Sequence, residues 1–117
     1  MNKVQLGLYG QEEAEKFMKA KGMSLIEANF RAAGGEIDLI MKDGTYVVFV
    51  EVKLRRGLQY GLPREAIDMR KQQRIKKAAM HFITRRRLHN NDFRFDAVEV
   101  FDTADGLSIN HIENAFQ

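Results

Sequence analysis

Apolar side chains fall on a helical stripe at Ala14, Phe17, Met18 and Ala20, which predicts a helix over residues 10–21 that Gly22 stops. Residues 23–30 read as a first strand, weakened by Glu27-Ala28-Asn29, and Ala33-Gly34-Gly35 turns the chain into a second. A third strand is expected over residues 45–53, after the hairpin signal Asp43-Gly44. Pro63 suits the first turn of a long helix ending near Arg86, with Ile67, Lys71, Ile75, Ala78, Ala79, Phe82 and Ile83 on one stripe. Alternation over residues 93–101, the turn signal Asp105-Gly106 and a short run over residues 107–112 complete the pattern. The order α, β, β, β, α, β, β predicts an α/β fold with a mixed sheet flanked by helices.

The hairpin between the second and third strands decides which side chains meet. With Asp43-Gly44 as a two-residue loop, Lys42 pairs with Thr45, Asp38 lies opposite Phe49, and Glu36 lies opposite Glu51. Positions 36, 38, 40, 45, 47, 49, 51 and 53 then share one face, and Asp38 stands diagonally from Glu51. The other face reads Ile37, Leu39 and Met41 against Tyr46, Val48, Val50 and Val52, an apolar surface suited to a helix. Three carboxylates and the Lys53 ammonium are thereby expected at the open end of the sheet. Asp38 and Glu51 are the candidate metal ligands, for Mg²⁺ or Mn²⁺, which take oxygen donors and keep water in the remaining positions. Glu36 ranks below Asp38, because it is equally placed to cap the turn at Gly34-Gly35.

Length and composition add limits. A chain of 117 residues, 44% hydrophobic and 30% charged, is expected to make one domain over residues 1–117. Cysteine is absent, which excludes disulfides and thiolate metal sites. The start of the chain lacks a signal-peptide pattern and no run approaches membrane-spanning length, so a cytoplasmic protein without a membrane partner is expected. The net charge of +3 hides a segregation: 12 basic and 2 acidic residues lie between Lys53 and Arg87, against 7 basic and 14 acidic elsewhere. An anionic partner is the expectation, and a solvated helix face is the alternative.

With these residues in place, the chain resembles the PD-(D/E)XK nuclease superfamily, whose restriction endonuclease-like core runs αβββαβ and whose metal site is an Asp followed by (Asp/Glu)-x-Lys. More closely, it resembles the YraN-like family of small uncharacterised bacterial proteins. The likeness rests on Gly35-Glu36-Ile37-Asp38-Leu39-Ile40, Phe49-Val50-Glu51-Val52-Lys53-Leu54-Arg55, Tyr60-Gly61-Leu62-Pro63, Lys71-Gln72-Gln73-Arg74 and Arg94-Phe95-Asp96. The resemblance implies a fold related to Holliday junction resolvases, with Asp38 and Glu51 as metal ligands and Lys53 positioning or activating the attacking water. Gln72 resembles a polar residue on the second helix that supports the site in those resolvases. One position departs from the family pattern: Gln11 stands where its first helix carries a glutamate.

These readings converge on a metal-dependent endonuclease that hydrolyses the backbone of branched or flapped DNA, with a homodimer as the plausible working unit. Arg55, Arg56, Arg64, Lys71 and Arg74 are the candidate phosphate contacts, expected to give affinity without sequence selectivity. For Lys71 the alternative is a stem packed on the apolar stripe with its ammonium in water. A rival function is a nucleic-acid-binding module that has lost catalysis, motivated by Gln11. A weaker one is an interaction protein whose basic helix meets an acidic protein surface. His81, His89 and His111 lack metal-ligand spacing and read as structural or surface residues. Tyr60 is a candidate base-stacking residue, and Asp96 a salt-bridge partner.

Overall fold

The computed structural model describes residues 2–56 and 67–117. Its elements follow the expected order: α1 Lys3–Ala20, β1 Ser24–Ala32, β2 Gly35–Asp43, β3 Tyr46–Arg56, α2 Met69–Arg86, β4 Asp92–Thr103 and β5 Gly106–Phe116. The strands lie side by side in chain order, antiparallel except for the parallel pair β3–β4. A parallel pair needs a long crossover, and α2 lies in it. No described helix is long and apolar enough to cross a membrane.

Among the described elements each face of the sheet carries one helix, so the strands are apolar on both sides. On the α2 side, Ile75, Ala78, Ala79, Phe82 and Ile83 pack on Phe30, Ile37, Ile40, Val47, Phe49 and Ala97. On the α1 side, Ala14 and Met18 meet Leu39, Met41, Val48, Val50, Val98 and Val100. The buried line of α1 is narrow, running Gly10, Ala14, Met18. Gly10 sits against Leu54, where an added Cβ would lie 3.4 Å from its Cδ1.

Both helices begin at other points than their apolar stripes suggest, because polar caps set the starts. Helix α1 begins seven residues earlier than expected, since Asn2 and Gln5 form a capping box: the Asn2 side chain accepts from the Gln5 amide at 2.8 Å, and Gln5 Oε1 accepts from the Asn2 amide at 2.9 Å. Helix α2 runs from Met69, with Ile67 and Asp68 outside it, and Pro63, the expected start, lies outside the described residues. Asp68 is its N-cap, accepting from the Lys71 amide at 2.8 Å. Ile67 therefore precedes the helix, yet it still enters the core.

The β2–β3 turn also differs from expectation. Asp43 pairs with Tyr46, so Gly44-Thr45 is the loop, and Gly44 has φ 59 while Thr45 is not in the left-handed region. Glycine at the first loop position is the requirement of a type II′ turn. Asp43 is kept in the strand by Arg94, whose Nη1 donates to its Oδ2 at 3.1 Å. The register moves by two residues in total, which leaves the alternation of β3 unchanged and places Ile40 opposite Phe49.

Arg94 belongs to a buried polar network that fastens the C-terminal end of α1. Its guanidinium donates to both oxygens of fully buried Asp96, which also accepts from the Asn114 amide and bonds His111 Nε2 at 2.7 Å. Lys21 Nζ lies 2.7 Å from His111 Nδ1 and can only donate, so Nδ1 accepts and Nε2 carries the proton given to Asp96. Burial alone would raise the Asp96 pKa; the His111 and Arg94 hydrogen bonds overcome it and hold the carboxyl below its ordinary value. The expected salt-bridge role of Asp96 is the one observed, and His111 is structural.

Two glycines separate close packing from open space. A Cβ on Gly35 would lie 2.4 Å from the Arg74 carbonyl oxygen, whereas one on Gly7 meets nothing within 4 Å. Gly35→Ala should therefore destabilise the fold by roughly 1–3 kcal/mol, as overpacking does. Gly7→Ala, in an exposed stretch of helix, should stabilise it by about 0.5–1 kcal/mol. Urea denaturation of both variants measures the two changes, and equal effects would contradict this packing.

Candidate active site

The site is a fork in the sheet. Pairing between β2 and β3 ends at Leu39–Val50, while β2 stays paired with β1 to Gly35 and β3 with β4 to Arg56. Divergence leaves backbone groups on the inner edges without ladder partners, and such groups need a substitute. Asp38 supplies one: its Oδ2 accepts from the Val52 amide at 2.8 Å.

Side-chain alternation also slips at this point. Leu39 and Met41 face the α1 core, whereas Gly35 and Ile37 as well as Ile40 meet the α2 side. The expected single face through positions 36, 38 and 40 therefore breaks at Asp38, and Ile37 belongs to the core opposite the one expected. In β1 the matching position is Asn29, held at φ 55 between the pairs Ala28–Leu39 and Phe30–Ile37. Both strands are contorted where β2 leaves β3.

Asp38 consequently reaches cavities on both sides. On the α2 side, a cleft of about 410 Å³ is lined by Glu36, Asp38, Glu51, Arg70, Lys71 and Arg74, among others. On the α1 side, a hollow of about 280 Å³ is lined by Asp38 again, with Gln11, Asn29, Glu36 and Leu8. Glu51 is only 7% exposed, and Lys71 Nζ sits 2.5 Å from its Oε1. Burial, and next the charge of Glu51, push the Asp38 pKa up to about 7, against the pull of the Val52 amide and of Lys71.

The donor set suits a hard divalent cation. Asp38 Oδ2 and Glu51 Oε1 are engaged by the protein, while Asp38 Oδ1 and Glu51 Oε2 have no hydrogen-bond partner among the described residues. Lys71 already stands as a cation against one of the acids. Among the described residues no three His, Cys, Asp or Glu side chains form a complete cage. Two carboxylates with room for water match the ligand demand of Mg²⁺ or Mn²⁺ better than that of a metal needing a full protein shell.

The structure thus gathers Asp38, Glu51, Lys71 and Arg74 in one cleft. Glu36 is at its rim, exposed and 3.6 Å from Arg31 Nη2. Lys53 lies two residues beyond Glu51 on β3 and lines neither cavity described above. The Gln72 amide donates to the Ile67 carbonyl at 2.7 Å, fastening the entry to α2. Arg55 is largely buried, with Nη2 3.6 Å from Glu99 Oε2. The Arg56 side chain, Tyr60 and Arg64 lie outside the described residues. Sequence reasoning missed Arg70, which lines the cleft, and the bond from Lys71 to Glu51. The signal for the second was a lysine on the apolar stripe one turn before Ile75.

The sequence profile of the uncharacterised protein family UPF0102 matches residues 10–100. Among curated proteins, the chain is 47% identical to the UPF0102 protein of Caldicellulosiruptor saccharolyticus, over 99% of this chain and 100% of that one. It is 46% identical to the UPF0102 protein of Alkaliphilus metalliredigens, over 95% and 96% of the two chains. A Clostridium botulinum UPF0102 protein is 44% identical, over 96% and 94%.

The charge state of Asp38 has a measurable consequence. Its pKa in the fold, about 7, exceeds the ordinary 3.8, so the folded chain holds this proton more tightly than the unfolded one. The stability tied to that proton is complete below about pH 4 and is lost as pH rises toward 7. Asp38→Asn keeps an acceptor for the Val52 amide and never ionises. Without metal it should be more stable than the parent at pH 8 by roughly 1–3 kcal/mol after solvent screening, with the difference vanishing near pH 4. Denaturation curves at the two pH values test this; a variant less stable at pH 8 would refute the assignment.

Proposed function

The chain belongs to the uncharacterised protein family UPF0102, the YraN-like family, and on that premise we propose that it is a divalent-metal-dependent endonuclease acting on the backbone of structured DNA. The observation that carries the reading is the pairing of Asp38 and Glu51 in one cleft, each with a carboxylate oxygen that no described residue engages, beside the Lys71 ammonium. The resemblance to the PD-(D/E)XK superfamily supports it independently, through the spacing of Asp38, Glu51 and Lys53.

Asp38 and Glu51 would hold Mg²⁺ or Mn²⁺, which when bound neutralises charge on the phosphate and lowers the pKa of water. The chain's own residues account for the rest. Arg70 and Arg74 on the cleft wall bind and orient a phosphate. The Val52 amide fixes the Asp38 carboxylate so that its second oxygen needs no reorganisation. Lys71 holds Glu51 in place and offsets the mutual repulsion of the acids. Nothing in this set reads a base edge, so the reading is of backbone shape and not of sequence.

A second reading, a binding module of the same fold without catalysis, is favoured by one observation. Gln11, which stands where the family carries a glutamate, shares the smaller hollow with Asp38. A neutral amide there leaves one acid fewer to attract a cation.

Cleavage assays with Mg²⁺ or Mn²⁺ on junction, flap and single-stranded DNA separate the two. The enzyme reading expects cutting that falls on the order of a hundredfold or more in Asp38→Asn and in Glu51→Gln, with DNA binding retained. Binding without cutting in either metal selects the module. In parallel, Mn²⁺ should raise the thermal midpoint of the parent at pH 8 but not that of Asp38→Asn.

A further inference from the structure

The exposed side of α2 carries a second ordered set of charges. Arg70, Arg74, Lys77, His81 and Arg85 are all exposed, and at 100° per residue they fall within an arc of about 80° on the helix. At 1.5 Å per residue, Arg70 to Arg85 spans about 22 Å. The row begins in the cleft, which Arg70 and Arg74 line, and ends at a shallow hollow of about 350 Å³ lined by Met80, His81, Thr84 and Arg85.

Among the described residues these cations have no acidic partner, unlike others on the surface. Lys16 pairs with Glu13, Lys19 with Glu15, Arg31 with Glu36 and Arg86 with Glu27. Arg70, Arg74, Lys77 and Arg85 make no ion pair with any described residue; Arg85 instead lies over the Phe30 ring, 5.5 Å from its centroid. Like charges on successive turns repel one another, so the row costs stability unless an anion occupies it.

We propose that this row is a track for the phosphate backbone of a nucleic acid, leading along α2 into the Asp38–Glu51 cleft. The inference rests on the nuclease reading above and gives it a direction of approach. Three arginines of the four permanent cations favour phosphate, which matches the guanidinium fork. An acidic protein partner fits less well, since the centre of a protein interface is depleted in charge and here the row itself is the centre, with Met69 and Met80 as the large exposed apolar residues flanking it. At 3.4 Å per step, 22 Å corresponds to about six phosphates on one strand of a duplex.

The test is the salt dependence of binding to a labelled DNA duplex and to the corresponding single strand, in EDTA. The double variant Lys77→Gln/Arg85→Gln removes two cations far from the acids, and Lys16→Gln on α1 is the control. If the track exists, the double variant binds about 10–100-fold more weakly at 0.1 M salt, and its log–log salt slope falls by about 2. The control should match the parent. Parent binding with an unchanged slope in the double variant overturns the track alone. No salt-dependent binding by the parent overturns the nucleic-acid reading beneath it. Binding with the expected slope loss, but no cutting in any metal, leaves the track standing and removes only the catalytic claim.

Discussion

The organisation of this protein depends on a single hydrogen bond made in an unusual place. Where β2 and β3 separate, the Val52 amide loses its ladder partner, and the carboxylate of Asp38 takes the position a backbone carbonyl would have held. The bond places an acid in the plane of the sheet instead of on one of its faces. An acid so placed is open to cavities on both sides and is brought beside Glu51 on the neighbouring strand. The same placement makes it costly, since the group is removed from water and set near a like charge.

The stable parts of the fold surround this costly one. At the opposite end of α1, Asp96 is fully buried, but it is bonded by an arginine, a histidine and a backbone amide. Two aspartates in one sheet, Asp38 part-buried and Asp96 fully buried, therefore behave in opposite ways. The donors around Asp96 hold its pKa below the ordinary value, whereas burial and the charge of Glu51 raise that of Asp38. The Asp96 network engages both carboxylate oxygens, whereas one oxygen of Asp38 has no hydrogen-bond partner among the described residues.

Much of this was legible in the order of residues. The order of the described elements follows from period and turn signals, and Asp38, Glu51, Lys71 and Arg74 stand out as site candidates in the residue pattern alone. The failures share a cause: local rules assume that an element continues as it began. Strand alternation carried through Asp38 put Ile37 on the wrong face, because nothing in Glu36-Ile37-Asp38 announces that β2 leaves its neighbour there. The weak stretch Glu27-Ala28-Asn29 was a trace of the same event, since Asn29 lies across from Asp38 and adopts a left-handed backbone. The helix starts differ from the apolar stripes because capping side chains, Asn2 and Asp68, fix the first turn. The Lys71–Glu51 bond joins residues on a helix and a strand, and no local pattern encodes such a meeting.

The contact between Gly35 and the Arg74 carbonyl sets how these parts move together. It presses the backbone of the strand that carries Asp38 directly on the helix that carries Lys71 and the row of cations, with no side chain between to act as a cushion. That contact ties the position of the strand to that of the helix. A polymer bound along that helix would be held at a fixed offset from the two acids, in the manner of a ruler whose zero lies in the fork.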